Sequence, residues 1–292
     1  MPGSDEPFRA GTAGGPFRVA LIVAYDGTGL EGWQTQPHRR TVQDLLEQAL
    51  SSIAREPIAT TCAGRTDAGV HASRQVVHFD TQAARPLSAW VRGANAYLPA
   101  TIAVRAAIGV APDFHARFGA LRRRYRYLLH VAPVRQPLLS GRVGWTHRRL
   151  DLQAMRAAAA PLVGEHDFSA FRSAQCQAAS PVRRLETLSI EAMTHRFAQG
   201  WRAALDPLAE QLFCLDFTGN AFLHHMIRNI VGALVMVGSG QREPAWVEQL
   251  LASRDRRLGA PTFAATGLCF EGVQYDDRFG LNSWAEDGED LP

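Results

Sequence analysis

Between residues 17 and 110, strand-like and helix-like runs follow one another as β-α-β-β-α-β, and that order narrows the fold more than any single motif. Residues 17–25 (FRVALIVAY) form a β-rich run with aliphatic side chains on both faces. Residues 41–53 predict a helix. Thr41 can cap it, and Val42, Leu45, Leu46, Ala49, Leu50 and Ile53 recur at helical spacing. Residues 57–62 and 74–79 predict strands around a Gly-rich loop. A helix over 88–98, after Pro86, and a strand over 102–110 complete the split ferredoxin-like unit.

The same order returns downstream. A strand is expected at 125–131 and a helix at 151–162, with Leu152, Met155, Ala159 and Leu162 on one side. Strands follow at 185–193 and 213–217, then a long helix at 220–237, a second at 244–252 and a closing strand at 268–273. The expected class is α+β: two tandem ferredoxin-like halves, 17–118 and 119–280, forming an extended mixed and antiparallel sheet with a central cleft. Their joint falls near 116–122. Residues 1–16 read as a flexible tail, 281–292 as an acidic tail and 195–211 as a loop insertion. No internal sequence repeat accompanies the two-half reading; element order alone supports it.

The 292 residues suffice for a large core, and 46% apolar with 20% charged residues indicates a soluble globular chain. The first fifteen residues lack an apolar run, and residues 230–237 are too short to span a bilayer. A cytoplasmic protein is expected. Cys62, Cys176, Cys214 and Cys269 are far apart without a C-x-x-C pair, so buried reduced thiols are expected rather than zinc ligands or disulfides.

A net charge of +3 implies little about partners, but its distribution implies more. All 31 basic residues are arginine. Residues 105–149 hold ten arginines and one acid, Asp113, centred on Arg122, Arg123, Arg124, Tyr125, Arg126 and Tyr127. Arginine forks grip phosphate and stack on bases, and interleaved tyrosines suit unstacked RNA. A solvated strand edge with alternating charges fits the same composition.

The segment 62–72 (CAGRTDAGVHA) concentrates chemistry between two strands. Its glycines allow a tight turn and close approach of a ligand. Asp67 lies between Arg65 and His71. A neighbouring guanidinium favours the charged form of a carboxylate, and a charged Asp can serve as nucleophile or base. Taken alone, G-x-T-D-x-G also fits an Asx-type turn with a surface ion pair.

The longer string A-G-R-T-D-A-G-V-H-A resembles the catalytic loop of the pseudouridine synthases, specifically the tRNA pseudouridine synthase A family. The resemblance continues through Tyr25-Asp26-Gly27, Gly32-Trp33-Gln34, Thr41-Val42-Gln43 and Gln75-Val76-Val77-His78-Phe79. It extends to residues 95–99, 113–118, 124–127, 164–171 and 220–229, in consistent order from about 17 to about 277. It implies that Asp67 is the catalytic aspartate and that Tyr125 stacks on the target base and helps remove the C5 proton. It further implies that Arg65 and Arg228 line the site, with Arg228 paired to Asp67, and that Leu268 packs against the tyrosine. The implied substrate is tRNA, at uridines 38, 39 and 40 of the anticodon stem-loop, and the implied assembly is a homodimer. Arg122, Arg123, Arg124 and Arg126 are the further RNA-contact candidates.

The implied reaction breaks the N1–C1′ bond, turns the base and forms a C5–C1′ bond. Nothing is oxidised and nothing leaves, so no cofactor or metal is needed in principle. The target must first be flipped from its stack. Asp67 can attack C1′, abstract the 2′ proton or add to C6; the residues do not select among these. On a helix, adjacent His224 and His225 would point about 100° apart and not share an ion. His71, His78 and His115 are expected to be structural, and the six tryptophans show no cofactor spacing. Residues 28–31 (TGLE) are less aromatic and basic than the family's first loop, and 195–211 is longer than usual. Two rivals keep the fold or the chemistry alone: an inactive RNA-binding module, and a nucleoside or glycoside hydrolase, which needs a second carboxylate absent from the Asp67 motif.

Overall fold

The structure, a computed structural model, describes residues 16–193 and 211–281. Residues 1–15 and 282–292 of the expected tails and 195–210 of the expected insertion 195–211, with Trp201 and Trp284, lie outside them; Gln211 begins a strand and Leu281 is buried. Chain packing divides the protein into two compact units: Met1–Arg123 with Phe270–Pro292, and Arg124–Cys269.

In the first unit β1 (Phe17–Tyr25) is the organising strand. It pairs antiparallel with β3 (His71–Thr81) on one side and β4 (Ile102–Val110) on the other. Val19, Leu21, Val23 and Tyr25 are buried at alternate positions, as the two-residue period of a strand requires. The order is β4-β1-β3-β10, with β10 being Leu268–Gln274, and the short β2 (Thr61–Cys62) also pairs with β3. Helix α1 (Val42–Ala54) begins where Thr41 accepts from Asp44 N, and it ends on Arg55 in the left-handed region. Helix α2 (Leu87–Tyr97) is fastened to β4 by Asn95, whose side chain bonds both N and O of Val104 at 2.8 Å.

In the second unit the order is β5 (Arg122–Val131), β9 (Gln211–Gly219), β8 (Val182–Ala192) and β7 (Gly164–Asp167). β6 (Gly144–Thr146) runs parallel to β5. Helix α3 (Leu152–Ala159) starts at the Asp151 cap and continues as a 3-10 turn to Leu162. Helix α4 (Met226–Gly238) is almost wholly buried, and α5 (Ala245–Ser253) follows. Asn229, buried on α4, donates to Phe171 O and accepts from Arg256 and Thr262 Oγ1, so a satisfied polar network ties three segments together. The class is α+β, with mixed but largely antiparallel pairing and five α-helices among the described residues. None of those helices is long and apolar enough to cross a membrane.

Three expectations need correction. β2 has two residues rather than six: Thr60 N and Oγ1 are taken by Glu47 Oε1, and Ile58 N by Ser51 Oγ, so α1 side chains replace a ladder there. The long helix starts at Met226 rather than 220, because His225 sits at φ 63 and Met226 N turns back to Leu223 O. Cys176, Cys214 and Cys269 are only half-buried, although none of the four cysteines is in a disulfide.

Candidate active site

Asp67 occupies a turn joining β2 to β3. Val70 N closes the turn on Asp67 O at 3.1 Å, and Gly69 supplies φ +80. The residues around Asp67 are held one by one. Gln75, fully buried on β3, donates to Gly64 O at 2.6 Å and accepts from Gly64 N at 3.3 Å. Ala63 N bonds Val76 O, and Trp33 N bonds Thr66 O. Tyr25 Oη and Thr66 Oγ1 share a buried hydrogen bond of 2.8 Å. Buried polar networks of this kind fix one conformation, because every partner lost leaves an unsatisfied group.

Close backbone approach adds a second restraint. A Cβ on Gly32 would stand 2.8 Å from Thr66 O and 3.1 Å from Asp67 C, and one on Gly27 would meet Val70 O. The loop preceding α1 thus lies against the Asp67 turn with no room for side chains. His71 completes the contact: its Nδ1 is 3.1 Å from both Gly27 N and Asp26 Oδ1. Asp67 itself is half-buried and Arg65 exposed. Burial pushes the neighbouring Cys62 thiol up to about 12, against the pull of Arg65, Arg117 and Arg123, so it is inert as a nucleophile.

The arginine-tyrosine strand β5 alternates. Arg123, Tyr125, Tyr127 and Leu129 are buried; Arg122 is exposed, and Arg124 and Arg126 are partly exposed. The period of two sets Arg122, Arg124 and Arg126 on the face opposite Tyr125. Arg124 and Arg126 converge on Asp216 of β9, at 3.4 and 3.1 Å. Arg123 is engaged inside the first unit: Nε and Nη2 donate to Ala63 O at 3.1 and 3.0 Å, and Nη2 also reaches Arg117 O at 2.8 Å.

In the second unit the Tyr125 ring meets Phe222 edge-on, with centroids 5.1 Å apart. Phe222 belongs to the turn before α4, beside Gly219. Leu268 is buried. Arg228 lies on the first turn of α4 and donates from Nε to Phe263 O at 2.9 Å, while Phe263 N returns a bond to Arg228 O. The adjacent Tyr127 hydroxyl donates to Ala264 O, and burial holds its pKa far above the phenol range. His224 and His225 precede α4 instead of riding on it, with ring centroids 4.0 Å apart. The divergence expected of neighbouring helical residues therefore does not apply to them.

Sequence reasoning missed Gln75, Thr66, Arg123 as a loop support, and Phe222. All four stand within the strings that carried the resemblance or the basic run. The strand period alone would have separated Arg123 from Arg122, Arg124 and Arg126.

Comparison with known sequences agrees with this picture. The family described as tRNA pseudouridine synthase matches residues 21–119 and 158–276. A protein named tRNA pseudouridine synthase A from Dechloromonas aromatica (strain RCB) is 52% identical over 265 residues, covering 91% of this chain and 95% of its own. The protein of the same name from Chromobacterium violaceum is 53% identical over 271 residues, with 92% and 97% covered. That from Bordetella petrii is 51% identical over 276 residues, with 93% and 96% covered. With the family matched across both units and such relatives covered nearly end to end, this chain belongs to the tRNA pseudouridine synthase family, of the A type.

Proposed function

We infer that Asp67 supplies the carboxylate with which this chain isomerises uridine to pseudouridine in tRNA. The isomerase activity follows from membership of the family. The observation that carries the assignment to Asp67 is its setting: a turn whose neighbours Gly64, Thr66 and Val70 are all hydrogen-bonded, which holds a half-buried carboxylate in one place. Preorganisation of that kind is what a carboxylate acting at a sugar or base carbon requires.

In this reading Tyr125, backed edge-on by Phe222, stacks on the flipped base, and Leu268 packs against that tyrosine. Arg65 and Arg228 bind the nucleotide. Arg122 contacts phosphate; Arg124 and Arg126, shared with Asp216, are weaker candidates, and Arg123 positions the loop. The carboxylate attacks C1′, takes the 2′ proton or adds to C6. The bonds that break and form lie within one nucleotide, so no cofactor is required in principle. The substrate uridines are those at positions 38, 39 and 40 of the anticodon stem-loop. The enzyme acts in the cytoplasm as a homodimer. The tandem ferredoxin-like division, 17–118 and 119–280, is supported by element order: β1-α1-β2-β3-α2-β4, then β5-α3-β8-β9-α4-β10 with β6, β7 and α5 added.

Product analysis tests the function. Incubation with tRNA transcripts should yield pseudouridine retained in the chain at 38–40. Release of free uracil would make the chain a hydrolase, and an unchanged transcript a binding module; either result sinks the reading.

A further inference from the structure

Residues 115–119 form a turn in the first unit whose backbone is fixed almost completely. Ala116 N donates to His78 Nδ1 at 3.2 Å, and Ala116 O accepts from Tyr275 Oη at 2.6 Å. Arg117 N and Phe118 N both point at His115 Nδ1, at 3.2 and 3.1 Å. Arg117 O is held by Arg123, and His115 O by Gly119 N. A Cβ on Gly119 would lie 2.9 Å from His115 O, so the turn closes only with glycine there. From this rigid support Phe118 projects with 77% of its surface exposed.

An exposed phenylalanine on a mobile tail would carry no argument. A ring carried on a fixed backbone and turned to solvent is a different object, because less ordering is left when a partner arrives. Its surroundings specify the partner. The His115 ring lies 4.4 Å away at 30°, and His78 lies 4.9 Å beyond, so Phe118 is the outermost ring of an aromatic ladder. Burial and the nearby Arg18 lower the His115 pKa, which favours the neutral form of that inner ring. Arg117 is exposed beside Phe118, with its guanidinium 5.6 Å from the Phe118 ring centre. The nearby acid Asp113 is paired with Arg278 at 3.0 Å. A flat aromatic face with a guanidinium at its side matches a nucleobase attached to phosphate.

We propose that Phe118 is a stacking platform for an unpaired base of the substrate tRNA, held in register with the Asp67 turn by Arg123. The register is physical: the one buried guanidinium bonds Arg117 O, next to Phe118, and Ala63 O, four residues before Asp67. The stacked base is a different nucleotide from the one that reacts. The proposal rests on the tRNA-isomerase reading above.

The test compares Phe118→Leu and Phe118→Trp with the unaltered protein, on a full-length tRNA transcript that the latter converts. Leucine keeps apolar bulk and loses the π face; tryptophan keeps it. Phe118→Leu should weaken tRNA binding and raise KM by about 5- to 150-fold, the range for one base–aromatic stack. Its kcat at saturation should hold within about twofold, because uniform binding is what is lost. Phe118→Trp should bind like the unaltered protein, and the salt slope should be the same in all three. Unchanged binding by Phe118→Leu, or an equal loss in Phe118→Trp, overturns the platform. A shift in sedimentation of either variant assigns the ring to a contact between copies of this chain and also overturns it. If the unaltered protein makes no pseudouridine, the tRNA-isomerase reading fails instead.

Discussion

The Arg123 guanidinium, 9% exposed, grips the Ala63 carbonyl from two of its nitrogens and so joins the start of β5 to the loop that carries Asp67. A basic residue in a basic run thereby acts as an internal brace. Arg123→Met should leave two carbonyls, the buried one of Ala63 and the part-buried one of Arg117, short of a donor. Denaturant unfolding should show a loss of about 2–3 kcal/mol, and turnover should fall. The salt dependence of tRNA binding should not change. Arg122→Ala, on the opposite face, should lower that salt slope by about one without loss of stability. A reduced slope in Arg123→Met would mean its guanidinium reaches phosphate.

Asp67→Asn preserves shape and removes the charge. The bonds of Gln75, Tyr25, Thr66 and Val70 that hold the turn are left in place by the substitution, so the variant should stay folded and bind tRNA. It should form no pseudouridine by mass-sensitive base labelling. Near-normal turnover would remove Asp67 from the chemistry.

The strands with strong apolar runs were legible in the sequence, and β1 and β4 begin and end where the pattern places them. Helices α1 and α2 were displaced by one residue at most. β6 and β7 escaped because GWT and GEHD are too short and polar to show a period. The start of α4 escaped because its boundary is a histidine in the left-handed region, a choice that no helix propensity marks. At the site, the Asp67 turn was legible as a string. Its supports were not, since Gln75 and Arg123 act across 11 and 60 residues of chain, distances that only folding closes. The arginines at 122–126 read as one basic block, whereas the strand assigns alternate members to opposite faces.

His78 gives the turn beneath Phe118 a pH dependence. Its Nδ1 accepts from Ala116 N, and burial, with Arg18 and His115 nearby, holds its pKa down at about 4, from an ordinary 6.5. Asp80 acts weakly in the other direction. Between those values the unfolded chain binds a proton that the folded chain refuses, so stability rises with pH. The contribution is complete above pH 6.5 and is lost as pH falls towards 4. Thermal melts across that window should fall more steeply for the parent than for His78→Gln. Parallel profiles would rule out His78 as the source.

Gly32 sets how closely the first loop approaches Asp67. Its φ is +85, and a Cβ there would meet Thr66 O at 2.8 Å, Ala68 N at 3.0 Å and Asp67 C at 3.1 Å. All three are backbone atoms, so no side chain can swing aside to relieve the overlap. Gly32→Ala therefore carries two costs: about 1–3 kcal/mol for an L residue in that backbone region, and a displaced Asp67. Gly29 separates them. It has φ +76, but a methyl group added there would meet nothing within 4 Å, so Gly29→Ala incurs the backbone cost alone. Both variants should lose stability in urea, Gly32→Ala by more because it adds the overlap. Only Gly32→Ala should lose kcat, by about a hundredfold for a shift of about 1 Å at the reacting group, with tRNA affinity nearly unchanged. Equal kcat in the two variants would show that the close approach of the first loop does not set the position of Asp67.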